Sequence, residues 1–283
     1  MTTTGRLAAQ SIRVGYPGRE VIEELSLAVP EGGFTVIVGP NACGKSTLLR
    51  ALGRMLTPRS GSVLLDGRDI HRYPSKEVAR RVGLLPQAPT APSAITVGDL
   101  VARGRYPHQR LLAQWTDADD RAVRDALAEV GLLDHADRLV DELSGGQRQR
   151  VWIGMALAQQ TPTLLLDEPT TFLDISYQLE VLDLCARLVD RGRTVVAVLH
   201  ELNTAARYAD HMIAMRDGRI VAEGPPEDVV TPTTLADVFD LEAIVLTDPE
   251  WGCPLMVPRN RRADRPRARG ERVDALTRQA AAS

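Results

Sequence analysis

Phe34-Thr35-Val36-Ile37-Val38, followed by Gly39-Pro40-Asn41-Ala42-Cys43-Gly44-Lys45-Ser46-Thr47, is the stretch on which the fold turns. Its first five residues are β-branched or aromatic, the composition of a buried strand, and the run stops at a glycine. Beyond Lys45 the apolar residues Leu48, Leu49, Leu52, Met55 and Leu56 recur at helical spacing. Strand, glycine loop and helix follow one another, and the loop fits the pattern G-x-x-x-x-G-K-[ST]. Its glycines let backbone N–H groups close on a phosphate, and the helix N-terminus adds the positive end of its dipole. In such a loop Lys45 reaches the β and γ phosphates of a nucleotide and the Ser46 hydroxyl ligates Mg2+. The plainer reading, a glycine-rich turn with a surface lysine, leaves the strand before it and the helix after it unaccounted for.

Outward from this segment the pattern repeats. Residues 164–166 and 195–199 are apolar runs of strand length, each preceded by helical periodicity, which gives a parallel α/β core. Residues 7–29 alternate as strands do and end at the turn Pro30-Glu31-Gly32-Gly33. Between the first and second core strands, about residues 88–160, the chain becomes helix-rich. There Ala122, Val123, Ala126, Leu127 and Val130 form one face of an amphipathic run, and the region reads as an inserted helical subdomain. Asp217-Gly218 between two apolar runs is a hairpin signal. Residues 259–283 are rich in Arg, Ala and Pro without apolar periodicity and read as a disordered tail.

With 283 residues, 44% hydrophobic and 25% charged, the chain is long enough for a sizeable core. No apolar run approaches the roughly 18–20 residues that cross a bilayer, and no secretory pattern opens the sequence, so a cytosolic location is expected. A net charge of −3 argues against a nucleic-acid partner, the basic tail apart. Cys43, Cys185 and Cys253 lack metal-ligand spacing and read as free thiols. Lysine occurs only at Lys45 and Lys76 in a chain that otherwise uses arginine, so the compact ammonium in the loop stands out.

Leu164-Leu165-Leu166-Asp167-Glu168 sets two carboxylates at the C-terminal end of a buried strand, where ligand sites of parallel sheets open. Asp167 suits the metal's shell, and Glu168 suits orienting and deprotonating a water. Leu143-Ser144-Gly145-Gly146-Gln147 precedes a second helical pattern. Read by itself it is an ordinary helix start capped by Ser144, and read as an anion site it is a second phosphate site in one chain.

In order, the loop, Gln87, the segment 143–147, Asp167-Glu168, Leu173-Asp174 and His200 resemble the motif series of ABC transporter ATP-binding subunits, over residues 7–257. The resemblance implies a P-loop NTPase core with an N-terminal antiparallel β subdomain and an inserted α-helical subdomain. It also implies ATP and Mg2+ as ligands and a head-to-tail homodimer. Each ATP would then lie between one chain's loop (Gly39, Pro40, Asn41, Ala42, Cys43, Gly44, Lys45, Ser46, Thr47) and the other's Ser144, Gly145, Gly146 and Gln147. Within that pattern Tyr16 stacks on adenine, Gln87 contacts Mg2+ and the water, His200 clamps the γ-phosphate, Asp174 links the two sites, and Ser46, Gln87 and Asp167 serve the metal. Each has a bland alternative: a half-buried strand aromatic, a loop amide, a histidine at a strand end. His71, His108, His135 and His211 match no motif and read as surface or structural.

Two departures stand out. Ala42 occupies a place often held by Gly, which requires a backbone that avoids positive φ, and Thr163 stands where an apolar residue is usual. Cys43, close to a helix N-terminus, is expected to have a lowered thiol pKa. Residues 170–182 and 101–108 resemble the ferric siderophore importer branch, with haem and cobalamin importers near it; an exporter subunit or a soluble ABC ATPase are the other classes. The resemblance implies integral membrane permease subunits, an extracytoplasmic solute-binding protein acting through them, and a peripheral position on the cytoplasmic face of the membrane. Leu84, Leu85, Leu100, Leu111 and Leu112 are read either as contacts for the permease or as core of the subdomain.

Overall fold

The computed structural model describes residues 6–87, 89–109, 115–171 and 173–259. Among them a six-stranded sheet forms the centre, with β3 (Phe34–Val38), β6 (Val82–Leu85), β7 (Thr163–Asp167), β8 (Thr194–Val198), β9 (His211–Arg216) and β10 (Arg219–Gly224). Their order is β10-β9-β3-β8-β7-β6, parallel throughout except for the β9–β10 hairpin at one edge. That hairpin turns on Asp217 (φ 49°) and Gly218 (φ 74°), the pair of positive φ values an Asp-Gly turn supplies.

Parallel strands covered on both faces need apolar residues at every position, and β7 and β8 are buried along their whole length. Leu164, Leu166, Val195 and Ala197 face one hydrophobic cluster, while Leu165, Val196 and Val198 face the other. The second cluster is closed by helix α1 (Lys45–Leu52) and by an antiparallel sheet of β1 (Leu7–Tyr16), β2 (Arg19–Val29), β4 (Ser60–Leu65) and β5 (Arg68–Asp69), ordered β2-β1-β4-β5. Because α1 is packed between two sheets, six of its eight residues are buried. It stops at Leu52, so Met55 and Leu56, read as part of the helical stripe, lie beyond it, and Met55 is 69% exposed.

The first cluster spreads under a helical region. After α2 (Ser75–Ala79) and β6, the chain forms α3 (Val97–Ala102), α4 (Asp117–Glu129) and α5 (Gly145–Ala158) before it re-enters the sheet. Leu85 and Leu100 are fully buried here, which makes them core and removes them as permease contacts; Leu84 is half-buried, and Leu111 and Leu112 lie outside the described residues. Arg105, 5% exposed, ties the region together. Its guanidinium donates to Asp119 (2.9 Å), to the carbonyl of Ala158 (2.8 Å) and to Gln160 (2.8 Å). Buried Thr163 begins β7, and its hydroxyl has no hydrogen-bond partner among the described residues.

Helix α6 (Ile175–Asp190) precedes β8, and α7 (Leu202–Tyr208) follows it. The last described elements are α8 (Pro226–Val229), α9 (Pro232–Phe239) and a hairpin of β11 (Ala243–Thr247) with β12 (Pro254–Pro258). Of the tail read from 259 onward, only Arg259 falls within the described residues.

Candidate active site

The loop between β3 and α1 is tightly wound. Gly39 has φ 152° and Gly44 φ 110°, and a Cβ at Gly39 would lie 2.2 Å from the carbonyl oxygen of Met215. Only glycine fits there. Ala42 has φ 63°, which corrects the expectation that this position avoids positive φ. The left-handed conformation costs an alanine about 1 kcal/mol, a strain of the size that phosphate sites sustain. Lys45 is 4% exposed, and its Nζ donates to the carbonyl oxygens of Gly39 and Pro40, both at 2.8 Å. Two of its three N–H donors thus fix the ammonium within the loop.

In the first turn of α1, the Ser46 hydroxyl donates to Asp167 Oδ1 at 2.7 Å. Asp167 is the last residue of β7, 1% exposed, and its Oδ2 lacks a hydrogen-bond donor among the described residues; the guanidinium of Arg50 stands 3.8 Å from it. Burial pushes this carboxyl above its ordinary pKa, against the pull of Ser46, Arg50 and Lys45, while Glu168 raises it further. A buried carboxylate oxygen without a donor, next to a hydroxyl, is a good partner for a hard cation. The pair fits Mg2+, which takes one or two carboxylates and completes its shell with substrate phosphates and water.

Glu168 follows with φ 54°, in the left-handed region. Its carboxylate accepts from Gln87 Nε2 (2.6 Å), Thr171 Oγ1 (3.0 Å) and His200 Nε2 (2.8 Å). Burial raises its pKa, but the donors from His200, Thr171 and Gln87 outweigh it and hold the carboxyl below its ordinary value. It is therefore ionised at neutral pH.

The structure thus brings Gln87, Glu168 and His200 into one cluster, from the ends of β6, β7 and β8, with Ser46 and Asp167 beside them. A cleft of about 180 Å3 opens above it, lined by Tyr16, Arg19, Val21, Asn41, Ala42, Gly44, Lys45, Ser46, Thr47 and Glu168. Ser144, Gly145, Gly146, Gln147 and Asp174 are not among its lining residues. Ser144 caps α5 in a reciprocal box with Gln147, Oγ accepting from the Gln147 N–H at 3.2 Å and Gln147 Oε1 from the Ser144 N–H at 3.1 Å. Asp174 caps α6 through the Tyr177 N–H at 3.1 Å. Ser144, Gly145 and Asp174 all face solvent.

Sequence reasoning missed Thr171, Arg50 and the β2 residues Arg19 and Val21. Arg50 was within reach, since it stands four residues after Ser46 on one helix face. Arg19 and Val21 enter the cleft only because β2 folds over the loop, a tertiary fact. Cys43 is corrected: it is buried, and burial pushes its thiol up against the opposing pull of Lys45 and the backbone. Of the four unassigned histidines none lines the cleft; His108 bonds the Gln159 carbonyl at 2.8 Å, and burial depresses His211.

The family model for ABC transporters matches residues 22–171. FepC, the ferric enterobactin transport ATP-binding protein of Escherichia coli (strain K12), is 52% identical over 262 residues, covering 92% of this chain and 97% of that protein. The chain belongs to the ABC transporter family. Among solved structures, an ABC transporter of metal-chelate type in an inward-facing conformation has a TM-score of 0.78 at 27% identity, over 91% of this chain and 99% of that one. A bacterial ABC transporter cassette solved as a dimer has a TM-score of 0.69 at 27% identity, over 77% of this chain and 98% of that one. As an ABC transporter ATP-binding subunit the chain is a nucleotide-binding ATPase. Among the described residues no helix is long and apolar enough to cross a membrane.

Proposed function

We propose that the chain is the ATP-hydrolysing subunit of an importer for ferric siderophores, working as a head-to-tail pair of copies beneath integral membrane permease subunits. The observation that carries this reading is the split of the phosphate-binding parts. Loop residues, Ser46 and Glu168 line one cleft, with buried Asp167 hydrogen-bonded to Ser46 behind them, while Ser144 and Gly145 at the capped start of α5 are exposed and outside it. An exposed helix N-terminus with two glycines is an anion site in want of an anion, and a second copy placed head to tail supplies one.

In this reading Tyr16 supports the adenine, Lys45 and the loop N–H groups hold the phosphates, and Ser46 and Asp167 hold the metal with Gln87 nearby. Held by Ser46 and Asp167, Mg2+ would supply positive charge against the phosphate oxygens. Glu168, ionised and held by three donors, takes the proton of the attacking water, and His200 orients that carboxylate and reaches the γ-phosphate. Closure of the pair around ATP drives the permease, and a solute-binding protein outside the membrane delivers the iron complex. The subunit then sits on the cytoplasmic face of the membrane.

The siderophore assignment rests on the relatives, since the chain itself never touches the solute. Uptake of labelled ferric siderophore, haem and cobalamin in cells lacking the chain tests it: siderophore uptake falls and returns on complementation. Loss of cobalamin or haem uptake with siderophore uptake intact would reassign the solute.

A further inference from the structure

Arg50 contacts both Tyr16, in the wall of the cleft, and Asp167, the buried partner of Ser46. Its Nη1 donates to the hydroxyl of Tyr16 at 3.0 Å, and its Nη2 faces Asp167 Oδ2 at 3.8 Å. Tyr16 is pinned a second time, its carbonyl oxygen accepting from Arg59 Nη2 at 2.6 Å. The Tyr16 side chain is thus held through its hydroxyl and its backbone through its carbonyl oxygen. At the opposite end the same guanidinium faces the carboxylate oxygen that has no hydrogen bond among the described residues.

We propose that Arg50 is a positioning residue that sets the base platform and the metal carboxylate against each other through one guanidinium. It acts on binding in two ways of opposite sign. Holding the Tyr16 hydroxyl pre-orders the platform and favours a ligand that carries a base. Facing Asp167 Oδ2 partly neutralises that carboxylate and so opposes entry of a divalent cation, which competes for the same oxygen. The simpler role, a basic residue in the last turn of α1 that favours the helix dipole, predicts a change in stability and neither binding effect. The proposal rests on the reading of the cleft as the ATP site.

The test is equilibrium binding to the full-length chain of a β,γ-nonhydrolysable ATP analogue and of inorganic tripolyphosphate, without metal and across an Mg2+ titration. Variants are Arg50→Met, Tyr16→Phe and the double variant, with thermal unfolding as the control on folding. Without metal, Arg50→Met lowers the preference for the analogue over tripolyphosphate by on the order of 3- to 10-fold, the range set by ordering one side chain. Tyr16→Phe lowers it by a similar factor, and the double variant by no more than the larger single effect, because both break one bond. With metal, Arg50→Met lowers the Mg2+ concentration at half-maximal tightening by about threefold or more, while Tyr16→Phe moves it by less than about twofold. An unchanged analogue-to-tripolyphosphate preference in Arg50→Met, additive single effects, or an unmoved Mg2+ midpoint would each overturn the proposal. Failure of the unmodified chain to bind the analogue at all would instead remove the underlying reading of the cleft.

Discussion

Replacing Glu168 by Gln isolates the chemistry from the binding. The substitution keeps the shape of the side chain. Since Gln87 and Thr171 both donate to Oε2, the amide must turn its oxygen toward them and its nitrogen toward His200, whose Nε2 then accepts. All three contacts survive without charge assistance, at a local cost of about 1–2 kcal/mol, because charge-assisted bonds are roughly twice as strong as neutral ones. What is lost is the base: an amide cannot take the proton of water, and removal of a positioned general base lowers turnover by about 10²- to 10⁴-fold, or about 3–5 kcal/mol on the barrier. Binding moves the other way, since a negative charge leaves the neighbourhood of both Asp167 and the incoming phosphates. The variant should therefore bind ATP at least as tightly as its parent and accumulate as a two-copy complex, read by steady-state phosphate release, nucleotide titration and sedimentation velocity. Turnover within about tenfold of the parent would refute the role given to Glu168.

Arg105→Met should destabilise the chain by about 3 kcal/mol, because it leaves the Asp119 carboxylate short of its buried partner; that corresponds to roughly 6–12 °C in a thermal melt. Burial raises the Asp119 pKa, but bonds from Thr116 and Arg105 outweigh it and hold it low. The ion pair's contribution is thus complete above about pH 4 and declines as pH falls through the lowered value, so the penalty of Arg105→Met should shrink in acid; a penalty that grows there would contradict it. Mass-spectrometric mapping after native-state alkylation should find Cys253 modified well before Cys43 and Cys185, because Cys253 is half-buried and the other two are buried; desolvation raises all three thiols, that of Cys185 to about 12; early loss of Cys43 would restore the lowered thiol expected from its place near a helix start. Gly218→Ala should cost about 2 kcal/mol or more and weaken nucleotide binding, because φ is 74° and the new Cβ would stand 2.0 Å from the carbonyl of Val21, a residue of the cleft wall; an unchanged melting temperature and ATP affinity would show that the β2–β9/β10 contact is soft.

By itself the sequence determined whatever is written in local chemistry and periodicity. The phosphate loop, the apolar runs at 34–38, 164–166 and 195–199, the Asp217-Gly218 turn and the helix start at Ser144 are each written within a few residues. Only the tertiary structure decided how distant pieces share space. Strand β6 escaped notice because Val82-Gly83-Leu84-Leu85 is short and sits at the sheet edge, paired among the described residues only with β7, which the sequence places far away. Arg50, Thr171 and the lining residues of β2 acquire meaning only where separate elements converge on Asp167 and Glu168. Cys43 shows the same limit: its position in the chain suggests a helix dipole and a reactive thiolate, but the apolar neighbours that bury it come from sheets on either side. Burial depends on every element that packs against a residue, and no local stretch of sequence holds that information.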